Sequence, residues 1–224
     1  MKEMLLPRYL NKYTRQDSTF PWLEGIASRL RDILFSFFGL LVLSPLFVLI
    51  AIAIKRDSPG PVFFRGSRLG KNGKAFKILK FRTMYERPES YQGPKITAGD
   101  DPRRTPVGMW LRDTKLNELP QLWNVFVGEM SLVGPRPEDP QIAAKWPGEE
   151  RQEILSLAPG ITSPATVMYR DEEDLLKTES VLDDYYETVM PNKLRLDRIY
   201  VRNRSFWMDL DILFWTVLVL IPRI

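Results

Sequence analysis

The chain has 224 residues, 44% hydrophobic and 27% charged, with 32 Lys and Arg against 28 Asp and Glu for a net charge of +4. It contains no Cys and no His, which excludes disulfides, thiolate nucleophiles, Cys-ligated metals and every imidazole-based triad. Catalysis must therefore run on carboxylates, Lys, Arg, Tyr, hydroxyls or a hard metal held by oxygen.

Residues 1–27, with Pro7 and Pro21, read as an N-terminal arm. From Ile33 to Ile54 there is no charged residue. At about 1.5 Å per residue this run is long enough for a bilayer core of roughly 30 Å. Arg29 and Arg31 precede it, and Lys55 and Arg56 follow. A spanning helix normally carries its basic excess on one side, so basic flanks at both ends fit a re-entrant segment that enters and leaves by one face. Near its middle, Pro45 cannot donate to the Leu41 carbonyl, which predicts a kink or break that the Ser44 hydroxyl can ease. A kinked span and a buried core helix are the alternatives.

Asp57 to Pro61 is a turn cluster, and Val62–Phe64 and Phe76–Phe81 read as strands joined by Gly70 to Lys74, whose Asn72-Gly73 is a hairpin signal. Residues 86–106 read as a mobile polar loop. Helical character is expected at Val107–Arg112, at Glu118–Val127, near Asp171–Leu176 and at Leu182–Val189. From Ser205 to Ile224, aromatic and aliphatic residues suit either a helix lying in the membrane interface or a terminal helix closing the core.

Basic residues gather beside Gly-rich and Pro-rich turns: Arg65 and Arg68, Lys80 and Arg82, Arg103, Arg104 and Arg112, and Arg136 within Gly-Pro-Arg-Pro. Guanidinium forks in such settings suit phosphate oxygens. Placed after a membrane-inserted segment, they point to a diphosphate or phospholipid headgroup. Glu118 reads either as a capping carboxylate at a helix start or as a general base or Mg²⁺ ligand facing these arginines. There is no P-loop and no dinucleotide fingerprint, and no nucleic-acid partner is expected.

The stretches DSPGPVFFRGSRLGKNGKAFKILKFRTM, NELPQLWNVFVGEMSLVGPRP and LDRIYVRNRSFWMDLDIL, in this order after Ser44-Pro45, resemble the monotopic polyprenyl-phosphate phosphoglycosyl transferase superfamily of bacterial sugar transferases. The resemblance implies an α/β fold, a small mixed cytosolic domain with a re-entrant, Ser-Pro-broken membrane helix and interfacial amphipathic helices. It divides the chain into an arm (1–27), a re-entrant helix (28–56), a catalytic domain (57–204) and an interfacial helix (205–224). It implies a monotopic protein on the cytoplasmic face of the bacterial inner membrane, contacting lipids and acting on a UDP-sugar and polyprenol phosphate with Mg²⁺. A homo-oligomer stays open. In the family an Asp-Glu pair precedes Leu-Pro-Gln, and the Asp attacks the β-phosphorus. The Glu carries over to Glu118, also the candidate metal ligand, but position 117 is Asn, a poor nucleophile. Downstream, the run from Pro159 to Arg170 also departs from the family pattern, although Thr162 and Arg170 could still bind substrate.

Three functions compete on this evidence. The first is transfer of the sugar alone to a polyprenol-(di)phosphate-linked acceptor with UDP release, Glu118 acting as base. The second is phosphoglycosyl transfer with UMP release, by direct attack of polyprenol phosphate or with Asp113 or Glu118 as nucleophile. The third is a non-catalytic role in a glycan assembly complex. The sequence favours the first.

Overall fold

A 37-residue helix, α1 (Pro21–Asp57), runs along one side of the computed structural model, which describes residues 21–92, 96–97, 101–171 and 181–220. The arm expected over 1–27 thus gives way to helix from Pro21, and residues 1–20 lie outside the described part. Strands β1 (Phe63–Leu69) and β2 (Ala75–Phe81) form an antiparallel hairpin paired from Phe63↔Phe81 to Leu69↔Ala75. Its turn needs left-handed backbone, which Asn72 (φ 57°) and Gly73 (φ 76°) supply at low cost. The stretch expected to be loop contains a short helix, α2 (Pro88–Gln92), and a bridge from Met84 to Arg104.

Helix α3 (Pro106–Asp113) begins where Thr105 Oγ1 accepts from the Gly108 N–H at 2.9 Å, with Pro106 in the first turn, where its missing N–H costs nothing. The helix expected over Glu118–Val127 is two pieces. Lys115 turns left-handed (φ 59°), Leu116–Glu118 forms a 3₁₀ turn, and α4 (Gln121–Val127) starts only after Pro120. Glu118 therefore does not cap an α-helix. Strand β3 (Ser131–Val133) leads to helices α5 (Pro140–Ala143) and α6 (Gly148–Leu155), and β4 (Gly160–Thr162) pairs parallel to β3. The approach of β4 to the loop after β3 is close: a Cβ on Gly160 would stand 2.1 Å from the Gly134 nitrogen. After α7 (Pro164–Met168), the helix expected near Asp171–Leu176 falls almost wholly outside the described residues. The last described elements are α8 (Val181–Asp184), a π turn (Tyr185–Val189), α9 (Met190–Asn203) and α10 (Phe206–Leu220).

The largest core joins Ile78 of β2, Val125 of α4, Val133 of β3, Ala165 of α7, Tyr200 of α9 and Met208 of α10. Helix α1 lies on this body at both ends. Arg29 donates to the Val125 and Phe126 carbonyls at 2.7 and 2.8 Å, satisfying the end of α4. Buried Arg31 pairs with Asp32 (3.0 Å) and Asp209 (2.8 Å), while Ser131 Oγ donates to Asp32 and Tyr200 to Asp209. Removing one member of such a buried set leaves an uncompensated charge at a cost of about 3–5 kcal/mol, so α1 must seat on β3 and α10 with all members paired. At the far end, Ile50 and Ile54 pack with Phe81 and Leu111.

Helical structure runs through Pro45 rather than breaking there. Ser44 Oγ donates to the Leu41 carbonyl at 2.8 Å, the acceptor that Pro45 leaves without an N–H. Among the described residues, α1 is the one helix long and apolar enough to cross a membrane, and its outer face exposes Phe35, Phe38, Val42 and Leu49. Trp110 on α3, Trp123 on α4 and Trp207 on α10 are also at least half exposed.

Candidate active site

Lys80, Glu118 and Arg136 meet although they stand far apart in sequence. Lys80 Nζ donates to Glu118 Oε1 at 2.7 Å, and Arg136 Nη2 lies 3.6 Å from the same oxygen. Lys80 is the penultimate residue of β2, Glu118 ends the 3₁₀ turn, and Arg136 follows β3. Their spacing is set by Asn124 on α4. Its Oδ1 accepts from the Leu79 N–H and its Nδ2 donates to the Lys77 carbonyl, both at 2.9 Å, which docks α4 on the hairpin edge beside Lys80. The loop bearing Arg136 is held by Gly134 N–H donating to the Thr162 carbonyl and Gly160 N–H to that of Pro135.

Electrostatics follow from this geometry. Burial pushes the Glu118 carboxyl up, but Lys80 and Arg136 outweigh it and hold the group well below the usual carboxylate range. Burial brings Lys80 down to about 8, with Arg136 adding to the fall and Glu118 opposing it. Glu118 is thus a fixed anion shared by two cations, and a weak base.

The trio opens into a cleft of about 940 Å³ whose lining also includes Asn117, Arg65, Arg68, Arg82, Arg112, Thr162 and Arg170. Arg65 is exposed at the rim. Arg68 donates to the Ser67 carbonyl at 2.7 Å and approaches Asp139 at 3.5 Å, and Arg112 donates to Thr83 Oγ1 at 3.2 Å. Arg82 is buried at the cleft, with Nη1 on the Pro59 carbonyl (2.6 Å) and Nη2 on that of Ser58 (2.8 Å), which clamps the turn after α1. Thr162 Oγ1 pairs with Thr216 Oγ1 at 2.7 Å. Arg170 reaches the Asp113 carbonyl at 3.5 Å, and the Asp113 side chain is exposed, outside the lining of the cleft. Arg103 pairs with Asp101.

Asn117 is 7% exposed, and its Oδ1 has no hydrogen-bond partner. Among the described residues, no three acidic side chains gather as a metal set. The oxygen donors nevertheless fit Mg²⁺, which takes one or two carboxylates and completes its shell with water and substrate phosphates: Glu118 is an ionised carboxylate and Asn117 offers a buried oxygen without a partner.

Asp197 on α9 stands in the LDRIYVRNRSFWMDLDIL stretch, but the sequence assigns it no role of its own. Its Oδ2 accepts the Arg136 N–H at 3.2 Å, and burial pushes its carboxyl up to about 7 against the lowering effect of that bond, Ser163 and Lys193. The folded state therefore binds a proton that the unfolded state has already lost, and stability falls as pH rises from about 4 to about 7. Asp197→Asn keeps the acceptor without the charge. It is expected to flatten that decline, so the variant unfolds several degrees above the wild-type protein at pH 8 and alongside it near pH 4, as thermal unfolding in detergent would show.

A family model described as bacterial sugar transferase matches residues 23–223. The chain is 39% identical over 199 residues to the undecaprenyl-phosphate glucose phosphotransferase of Komagataeibacter xylinus, covering 87% of this chain and 36% of that protein. It is 37% identical over 209 residues to the UDP-glucose:undecaprenyl-phosphate glucose-1-phosphate transferase of Klebsiella pneumoniae, covering 90% of this chain and 41% of that protein. The chain thus spans about two fifths of the length of these larger relatives. With the exopolysaccharide production protein PSS of Rhizobium leguminosarum bv. phaseoli it shares 37% identity, covering 87% of this chain and 95% of that protein.

Proposed function

Because this chain belongs to the bacterial sugar transferase family, we propose that it moves a sugar 1-phosphate from a UDP-sugar to polyprenol phosphate by direct attack of the acceptor. An oxygen of the lipid phosphate bonds to the β-phosphorus. The bond from that phosphorus to the bridging oxygen breaks, UMP leaves with that oxygen, and a polyprenyl diphosphate sugar remains. A phosphate nucleophile needs no proton removed, so the reaction needs no strong base. Lys80 and Arg136 face the charge that grows on the leaving oxygen and the equatorial oxygens. Mg²⁺, held by Glu118 and Asn117 together with the diphosphate, would neutralise substrate charge.

The observation that carries this reading is the ion-paired state of Glu118, which suits it to hold two cations in place and ill suits it to deprotonate a hydroxyl. The names of the relatives, sugar-1-phosphate transferases acting on undecaprenyl phosphate, weigh the same way. Sugar-only transfer with UDP release, favoured on sequence, becomes the second reading. It retains one specific support, the amide at position 117 where the family resemblance places a nucleophile. The non-catalytic alternative is set aside, since the family and its named relatives are transferases.

The test is the nucleotide by-product of purified protein given a panel of UDP-sugars, Mg²⁺ and either polyprenol phosphate or a polyprenol diphosphate sugar. UMP released only with polyprenol phosphate supports direct attack. UDP moves the assignment to the second reading, and UMP formed without acceptor replaces direct attack with a covalent intermediate.

The membrane arrangement belongs to the same proposal: α1 is re-entrant, and the protein sits on the cytoplasmic face of the bacterial inner membrane. Support comes from α1 touching one body through Arg29 and Arg31 near one end and Ile50 and Ile54 near the other. The chain has no Cys, so single-site labelling is clean. Leu23→Cys and Arg56→Cys, at exposed positions on either side of the apolar run, are expected to react with an impermeant maleimide in inverted vesicles and not in spheroplasts. Opposite patterns for the two would make α1 a span.

A further inference from the structure

We propose that the inward face of α10 seats the isoprenoid chain of the acceptor, in an apolar lane leading away from the Lys80–Arg136 end of the cleft. Leu213, Thr216, Val217 and Leu220 line the same cleft as Lys80, Glu118 and Arg136. Their i, i+3, i+4, i+7 spacing makes one helical stripe. The polar member of that stripe is already satisfied, because the Thr216 hydroxyl donates to the Ile212 carbonyl and pairs with Thr162, both at 2.7 Å. The stripe therefore offers a ligand an essentially hydrocarbon surface. Leu122, Leu132, Ile161 and Ala165 line the cleft as well, so the apolar character is not confined to the helix.

The lane has two different ends. One meets the cations around Glu118. The other reaches Val217, 56% exposed, beside Leu218 at 40%, where α10 joins the exposed apolar surface. A nucleotide sugar could fill the cationic end but would leave the hydrocarbon stripe against water, at roughly 25 cal/mol for each Å² left unburied. An amphiphile with one phosphate and a long apolar tail matches both ends of the single cavity, and its tail leaves where the surface is already apolar. The assignment rests on the proposed function for the identity of the phosphate end. It adds which wall holds the lipid, and it makes α10 part of the acceptor site rather than only an interfacial anchor.

The test uses the full chain in lipid nanodiscs and a polyprenyl phosphate carrying a photoreactive benzophenone on an early isoprene unit. Adducts are expected at Leu213, Thr216, Val217 or Leu220, suppressed by excess polyprenol phosphate and not by polyprenol lacking the phosphate. Adducts confined to α1 or to the outward Trp207 and Phe214, or equal labelling by the phosphate-free probe, would overturn the assignment. This readout needs no turnover, so it stands apart from the proposed reaction. A kinetic arm compares acceptors: Val217→Asp is expected to raise KM for the long-chain phosphate at least tenfold more than for a two-isoprene phosphate. Phe214→Asp, on the outward face of the same helix, is expected to leave that ratio unchanged. An equal loss for both chain lengths in Val217→Asp counts against the lane.

Discussion

Exchange of Glu118 for Gln is expected to lower kcat/KM for the UDP-sugar about 10²- to 10³-fold while the chain still folds, the scale seen when one preorganised electrostatic group is removed from a transition state. The amide is nearly isosteric and can still accept from Lys80 at the 2.7 Å contact, but it no longer supplies the charge that gathers Lys80 and Arg136 on one oxygen. The pH profile separates this role from mere support. In the wild-type protein Lys80 loses its proton as pH rises through about 8, the cleft loses a positive charge, and KM for the UDP-sugar rises. Glu118 is the neighbour that raises Lys80, while burial and Arg136 lower it. Without the Glu118 charge the alkaline limb is expected to move to lower pH. Circular dichroism and the pH dependence of UMP release check both parts. A variant with near-normal activity and an unmoved limb would reduce Glu118 to a packing residue.

The local elements were legible because their signals are local. The uncharged run gives α1, Asn72-Gly73 gives the hairpin turn, and the helical character of Val107–Arg112 gives most of α3. Position in three dimensions was not. Glu118 looked like a helix start because nothing in the neighbouring residues shows that Lys115 goes left-handed and that Pro120 delays α4. Arg82 reads as a phosphate ligand by residue type alone, and the sequence does not show that the Ser58 and Pro59 carbonyls hold both of its terminal nitrogens. The Ser44-Pro45 pair predicts a local loss of hydrogen bonding, and the structure absorbs that loss with a single hydroxyl instead of ending the helix. Asp197 and Asn124 stand inside the stretches that carry the resemblance, but their roles are not readable there, since each acts through backbone groups that only the tertiary fold delivers. The meeting of Lys80, Glu118 and Arg136 was foreseen only as a grouping of types. Which cation shares the carboxylate is a matter of hairpin register.

Asn117→Asp carries the sharpest expected contrast. The substitution exchanges one amide nitrogen for oxygen at a buried, cleft-lining position whose Oδ1 has no hydrogen-bond partner. It restores a carboxylate where the family resemblance places the nucleophile, and its desolvation is expected to lower stability by about 1–3 kcal/mol. Given UDP-sugar and Mg²⁺ but no acceptor, the variant is expected to release about one equivalent of UMP per chain, because an Asp oxygen can bond to the β-phosphorus as the bond to the bridging oxygen breaks. The wild-type protein is expected to release none, since a neutral carboxamide cannot form that mixed anhydride. Rapid-quench measurement of UMP and intact-mass detection of the phosphosugar adduct read the two outcomes directly. A burst in the wild-type protein would overturn direct attack and require another carboxylate as nucleophile. A folded variant that binds UDP-sugar and shows no burst would mean that residue 117 does not face the β-phosphorus. In that case Asn117 would owe its place to what its amide binds, and the nucleotide released with acceptor, UMP or UDP, would decide between direct attack and sugar-only transfer.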